Sequence, residues 1–157
     1  MKNSRTLQSA NNSKDTLRFL KAIRQLIKIP SRLEIGRELL DSIICDFLEP
    51  DQKVLYHYVY GRYHANLYKE NNDIEELETA NDFLDDMISI AFEHKVKIRD
   101  PRMHFTRAHV KYQLAHLVWE EERKPWLLEK ARHITQSTLR FHPDNSSFIW
   151  LQQQLRA

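Results

Sequence analysis

Apolar positions along the chain fall three and four residues apart over most of its length, the period of an amphipathic helix. Seven such stretches are predicted. In residues 15–29 the period is carried by Leu17, Phe19, Leu20, Ile23, Leu26 and Ile27, and in residues 31–48 by Leu33, Leu39, Leu40, Ile43, Ile44, Phe47 and Leu48. Residues 51–70 are aromatic-rich, and residues 73–94, 101–122, 125–141 and 144–155 complete the set. Ser31 with Glu34, and Asp73 with Glu76, have the spacing of capping boxes, in which two side chains satisfy the orphan N–H groups of a helix start. Asp100 followed by Pro101 reads as an N-cap and a first helical residue.

All 5 prolines, at 30, 50, 101, 125 and 143, fall between these stretches. A proline inside a helix loses a hydrogen bond and clashes with the preceding turn, so each marks a joint. Links this short make neighbouring helices antiparallel. The expected fold class is therefore all-α: antiparallel αα-hairpins stacked as a short solenoid of about seven helices, with a compact helical bundle as the alternative. Residues 14–157 are expected to form one domain. Residues 1–13 are polar without an apolar run and are expected to be a flexible tail.

Composition sharpens this picture at three points. Only 2 glycines are present among 157 residues, too few for the tight turns of a β-rich fold. The 41% hydrophobic and 29% charged residues suit a globular chain with a core of its own. The 1 cysteine, Cys45, excludes an intramolecular disulfide and fits a reducing, cytoplasmic setting. Its place in a predicted helix favours a small buried residue over a reactive thiol. Residues 1–15 lack the apolar centre of a secretory signal, and no apolar run approaches the roughly 18 residues of a membrane span.

The joints repeat. "DFLEPDQKVLYHY", "KIRDPRMHFTRAH" and "RFHPDNSSFIWLQ" each end a helix, turn at a proline and enter an apolar-aromatic helix. The prolines at 50, 101 and 143 lie 51 and 42 residues apart, and each interval holds two predicted helices. A two-helix unit recurring at such a period marks an α-solenoid. "YVYGR" (Tyr58 to Arg62) and "YQLAH" (Tyr112 to His116) share a second pattern: Tyr, two residues, a small residue, a base.

The stretch "EKARHITQSTLRFHPDN" resembles the second helix of a tetratricopeptide repeat and its closing proline, with Ala131 and Thr138 standing twelve and five residues before Pro143. Gly61 and Ala115 take the small position of the first helix, and Pro50 resembles a second closing proline with Cys45 five before it. The spacing is longer than the family's roughly 34 residues. The resemblance implies that first helices line a concave groove. Leu55, Tyr58, Arg62 and Asn66, with His109, Tyr112, His116 and Trp119, would then contact a bound peptide; half-exposed surface is the alternative. It implies a non-catalytic protein–protein interaction module, adaptor or chaperone-like, with no cofactor. Its partner would be a peptide or helix carrying acidic and apolar residues.

Charge is segregated under a net +2. Residues 1–37 hold 9 basic and 2 acidic residues, whereas residues 70–93 hold 9 acidic residues and no Lys or Arg. Lys14, Arg18, Lys21, Lys28 and Arg32 recur at near-helical intervals and form a basic patch. It suits nucleic acid or an anionic membrane surface, self-association with the acidic helix 73–94, or simply a solvated face. A nucleic-acid-binding regulator is thus the second functional reading. The third is a small helical ribonuclease: Arg99 and His104 have the spacing found in the dimeric helical ribonucleases that they resemble. His57 and His64, and His109 and His116, lie seven apart, while metal ligation from one helix uses three or four. No metal is expected.

Overall fold

The computed structural model describes residues 14–157 in full and residues 2–13 as backbone of the first helix. The tail expected over residues 1–13 lies outside the residues whose side chains are described. Seven α-helices follow one another: α1 (Lys2–Leu26), α2 (Leu33–Asp41), α3 (Pro50–Asn71), α4 (Ile74–Glu93), α5 (Pro101–Ala115), α6 (Arg123–Phe141) and α7 (Ser146–Arg156). Short 3-10 turns at Pro30–Arg32 and Cys45–Phe47 flank α2, and no strand occurs among the described residues. The fold is all-α, as expected.

Proline places the starts. Pro50 and Pro101 each open a helix, Pro125 sits in the first turn of α6, and Pro143 lies between α6 and α7. Asp100 caps α5 by accepting from Arg102 N at 3.0 Å, and Asp73 caps α4 by accepting from Glu75 N at 3.0 Å. The box expected from Ser31 and Glu34 does not form. Pro30–Arg32 wind as a 3-10 turn with Ser31 at its middle, and α2 begins at Leu33 without a side-chain cap. Glu76 does not complete a box either; its carboxylate lies 2.6 Å from His64 Nδ1. A reciprocal box stands instead at Glu49 and Gln52, ahead of α3.

Two helices stop sooner than their apolar period suggested. Ser42 follows α2 and donates its hydroxyl back to Leu39 O at 2.6 Å, a bond that competes with helix continuation. Cys45 therefore lies in a 3-10 turn rather than a helix, half-buried, with its thiol pushed up by burial. α5 ends at Ala115 rather than at residue 122, and Val118 folds back into the core while Trp119 points to solvent.

Consecutive helices pair as α1/α2, α3/α4 and α5/α6, and α7 packs on α6 and α5. Odd-numbered helices also touch in order, α1 on α3, α3 on α5 and α5 on α7, and α4 lies against α5. Gly61 faces the second helix of its pair, as the sequence pattern implied: a Cβ there would stand 2.8 Å from Leu84 Cγ and 3.3 Å from Ala80 O. One apolar cluster runs from Leu20 and Ile23 through Val59, Tyr63, Leu84 and Leu114 to Leu127. A second, built on Ala108, Ala131, Ile134, Phe148 and Leu151, holds α5, α6 and α7 together. No helix among the described residues is long and apolar enough to cross a membrane.

Candidate functional site

The face shared by the odd-numbered helices brings together most of the residues that the sequence nominated, at different depths. On α3, Leu55, Tyr58 and Asn66 are buried. Tyr58, 3% exposed, lies beneath the Arg24 guanidinium, which sits 4.7 Å from its ring centroid, and its hydroxyl meets Thr106 Oγ1 at 3.3 Å. Asn66 donates to Ile27 O at 3.0 Å, satisfying a carbonyl at the end of α1. Tyr58 and Asn66 thus tie α3 to α1 and α5, and Leu55 belongs to the core. Arg62 is half-buried and donates to Thr106 Oγ1 at 3.4 Å.

On α5 the rings form a ladder. Phe105 stacks on His109 with centroids 5.4 Å apart, His109 on Tyr112 at 6.3 Å, and Tyr112 meets the edge of His116 at 4.7 Å. Trp150 of α7 touches both His109 and Tyr112, at 5.9 and 6.4 Å. Phe105, the first ring of this ladder, lines one recess with Tyr58. Trp119 does not belong to this face as expected: α5 has ended, and the indole is 94% exposed in the following turn.

Electrostatics on this face are positive. A recess of about 240 Å³ between α1, α3 and α5 is lined by Arg24, Lys28, Arg62 and Arg102 beside Tyr58, Phe105 and Thr106. Lys28 and Arg62 also line a smaller recess of about 110 Å³ next to Lys69 and Glu70. Burial acts to raise the Asp100 carboxyl, but hydrogen bonds from Arg102 and Arg24 hold it down to about 2. Burial, then the Arg62 charge, lowers the Lys69 ammonium. Burial, then Lys69 and Arg62, lowers the His109 imidazole to about 4.

Sequence reasoning missed Arg24, Lys69, Arg102, Phe105 and Trp150 on this face. Arg24 carries one legible sign: it occupies the inward side of the first helix, apart from the basic stripe. Lys14, Arg18, Lys21, Lys28 and Arg32 are all exposed. No ion pair joins any of the five to α4 among the described residues.

The chemistry-bearing alternatives fare as follows. His57 Nδ1 donates to Lys53 O at 2.7 Å and His64 pairs with Glu76, so the two serve the α3–α4 hairpin. No group of three or more His, Cys, Asp or Glu among the described residues is arranged to hold a metal. Arg99 and His104 line an open groove of about 790 Å³ between α4, α5 and α6, with Lys97, Arg107, His133 and His142. His104 Nε2 donates to Ile98 O at 2.9 Å, and among the described residues no Asp or Glu lines the groove as a base partner. No protein-family model matches the chain, and no curated protein or solved structure matches it significantly.

Proposed function

We propose that this chain is a non-catalytic interaction module that holds an acidic, partly apolar segment of another protein against the face made by α1, α3, α5 and α7. The observation that carries this is the meeting of unneutralised cations with a ring ladder: Lys28, Arg62 and Lys69 stand beside Phe105, His109, Tyr112 and Trp150. Aromatic and Arg side chains are the usual anchors of protein interfaces. The tetratricopeptide-like reading supports it: hairpins of consecutive helices with first helices side by side are the plan of that repeat, and their shared face is its peptide groove. Exposed Trp150 and the half-buried Phe105, Tyr112 and Arg62, rather than buried Leu55, Tyr58 and Asn66, make the direct contacts; the buried three set the floor.

The test is binding of a library of acidic-aromatic peptides, read by fluorescence polarisation. Changing Tyr112 or Arg62 to Ala should weaken the best binder by about 2 kcal/mol or more while leaving the fold intact. Unchanged affinity in both variants would end the assignment.

The basic patch on α1 and the turn after it supports a second reading. Among the described residues none of its five exposed cations forms an ion pair, which suits nucleic acid or the acidic ridge of a second copy. In that ridge, burial and the like charges of Glu78, Asp86 and Asp85 raise the Asp82 carboxyl. Nucleic-acid binding should weaken steeply with salt, and self-association should appear as a concentration-dependent mass in sedimentation.

A further inference from the structure

Two of the four cations in the recess between α1, α3 and α5 are already occupied. Arg102 grips Asp100 through Nε and Nη2, each at 3.1 Å, and Arg24 takes the same carboxylate at 3.0 Å. The other two have no carboxylate. Lys28 Nζ donates to Gln25 Oε1 at 3.0 Å, and the one acceptor of Arg62 is Thr106 Oγ1 at 3.4 Å, long for a guanidinium. Thr106 Oγ1 is itself fixed, since it donates to Arg102 O at 3.0 Å and also meets the Tyr58 hydroxyl. Lys69 adds a third cation from the adjoining recess. Lys28, from the turn after α1, and Arg62 of α3 line both recesses, and Lys69, one α3 residue among the lining of the second, stands next to them.

We propose that this recess binds a phosphate group carried by a phosphorylated side chain of the partner segment. The proposal rests on the reading of this face as a partner surface. A carboxylate brings one charge and two oxygens. A phosphomonoester brings about −1.5 to −2 at neutral pH and three acceptor oxygens, which fits Lys28 and Arg62 in the recess with Lys69 next to it better. A guanidinium fork such as that of Arg62 matches phosphate in bidentate geometry. Burial first, then neighbouring positive charge, lowers the Lys69 ammonium and the His109 imidazole, and among the described residues no ion pair joins Arg62 or Lys69 to a carboxylate. A nucleic-acid backbone would call for cations repeated along a track, whereas these gather at one point, walled by the rings of Tyr58 and Phe105.

The experiment uses the full chain with inorganic phosphate, phenyl phosphate and acetate at matched ionic strength, followed by His109 ring resonances and by thermal denaturation. Phosphate and phenyl phosphate should raise the melting temperature, because ligands of the native state stabilise it, and should move the His109 titration upward from about 4. Arg62→Ala and Lys28→Ala should each lower the phosphate affinity at least tenfold, while the double change Arg18→Glu, Lys21→Glu leaves it unchanged. Arg62→Lys, which keeps the charge and loses the fork, should give an intermediate loss and serves if the alanine variant unfolds. An equal response to acetate, or a phosphate response that survives Arg62→Ala, would overturn the proposal. Tighter Arg62-dependent binding of single-stranded oligonucleotide than of a phosphopeptide would also overturn it. If phosphate fails while unmodified acidic peptides still bind through Tyr112, the phosphate site falls and the partner face stands. If phosphate binds in an Arg62-dependent way but no peptide does, the partner reading is what has failed.

Discussion

Lys111 of α5 places its ammonium 2.9 Å from the Asp85 carboxylate of α4, with the lysine side chain 1% exposed. Asn81 Oδ1 accepts from the same ammonium at 2.8 Å, Arg107 Nε reaches Asp85 at 3.3 Å, and the Trp126 ring of α6 lies 5.9 Å away. One buried cation thus ties the α3/α4 hairpin to the α5/α6 hairpin. Removing one partner of a buried pair strands the other charge, which costs more than the intact pair contributes.

Asp85→Ala should therefore destabilise the fold by about 2–3 kcal/mol, the low end for such pairs because Asp85 is 39% exposed. Lys111→Met should cost less than Asp85→Ala, since the carboxylate it leaves is 39% exposed and keeps Arg107, although Asn81 Oδ1 loses its donor. Burial lowers the Lys111 ammonium, against the raising effect of Asp85. The folded chain then binds fewer protons there than the unfolded chain, so this contribution to stability grows as pH rises towards 10.5. Losing Asp85 removes an opposing cause and should steepen that slope. Urea unfolding from pH 7 to 10 checks both signs, and a Lys111→Met loss as large as that of Asp85→Ala would refute the account.

What was legible in the sequence was what local chemistry decides. Proline cannot continue a helix, so the joints at 50, 101, 125 and 143 were readable, and so were the Asp73 and Asp100 caps. Gly61 was readable as a close approach because no other residue type suits one. The failures share a cause. Ser42 and His116 end helices whose apolar period continues, because Ile44, Phe47 and Trp119 have no core to enter. Tyr58 and Asn66 looked like groove residues because their face is mixed in polarity. Two other helices cover that face and satisfy its polar atoms, a tertiary fact that periodicity does not carry. Lys111 shows no sign of burial in the sequence, although its side chain is a core residue.

Gly61→Ala tests the α3–α4 approach. In an exposed helix the change would gain about 1 kcal/mol. Here the new Cβ would stand 2.8 Å from Leu84 Cγ, in a fully buried contact. Overpacking of this kind costs about 1–3 kcal/mol, so the net effect should be a loss of about 1 kcal/mol, and Gly61→Val should lose more. A rise in the denaturation midpoint for Gly61→Ala would show that the two helices stand further apart.

The basic stripe should be dispensable for folding. Arg18, Lys21 and Lys28 are exposed, α1 packs on α2 and α3, and exposed charges contribute little to stability. Changing all three to Glu should leave the melting temperature within a few degrees while altering association with acidic partners or nucleic acid. A large drop in melting temperature would instead make the stripe an internal buttress.

His109 should make the fold acid-sensitive in a defined window. Its folded pKa is lowered to about 4, first by burial between Phe105, Tyr112 and Trp150, then by Lys69 and Arg62 of α3. An unfolded histidine titrates near 6.5. The folded chain therefore binds fewer protons between these values, and the contribution is fully present above about 6.5 and lost as pH falls towards 4. A shift of this size corresponds to roughly 3 kcal/mol. His109→Phe keeps a flat ring against Phe105 and cannot be protonated, so its stability should fall much less across the same window. Guanidinium unfolding at pH 7, 6, 5 and 4 measures the difference between the two proteins. Because carboxylates elsewhere titrate in both, they cancel in that difference, and parallel pH profiles would show that His109 is not held neutral by its neighbours.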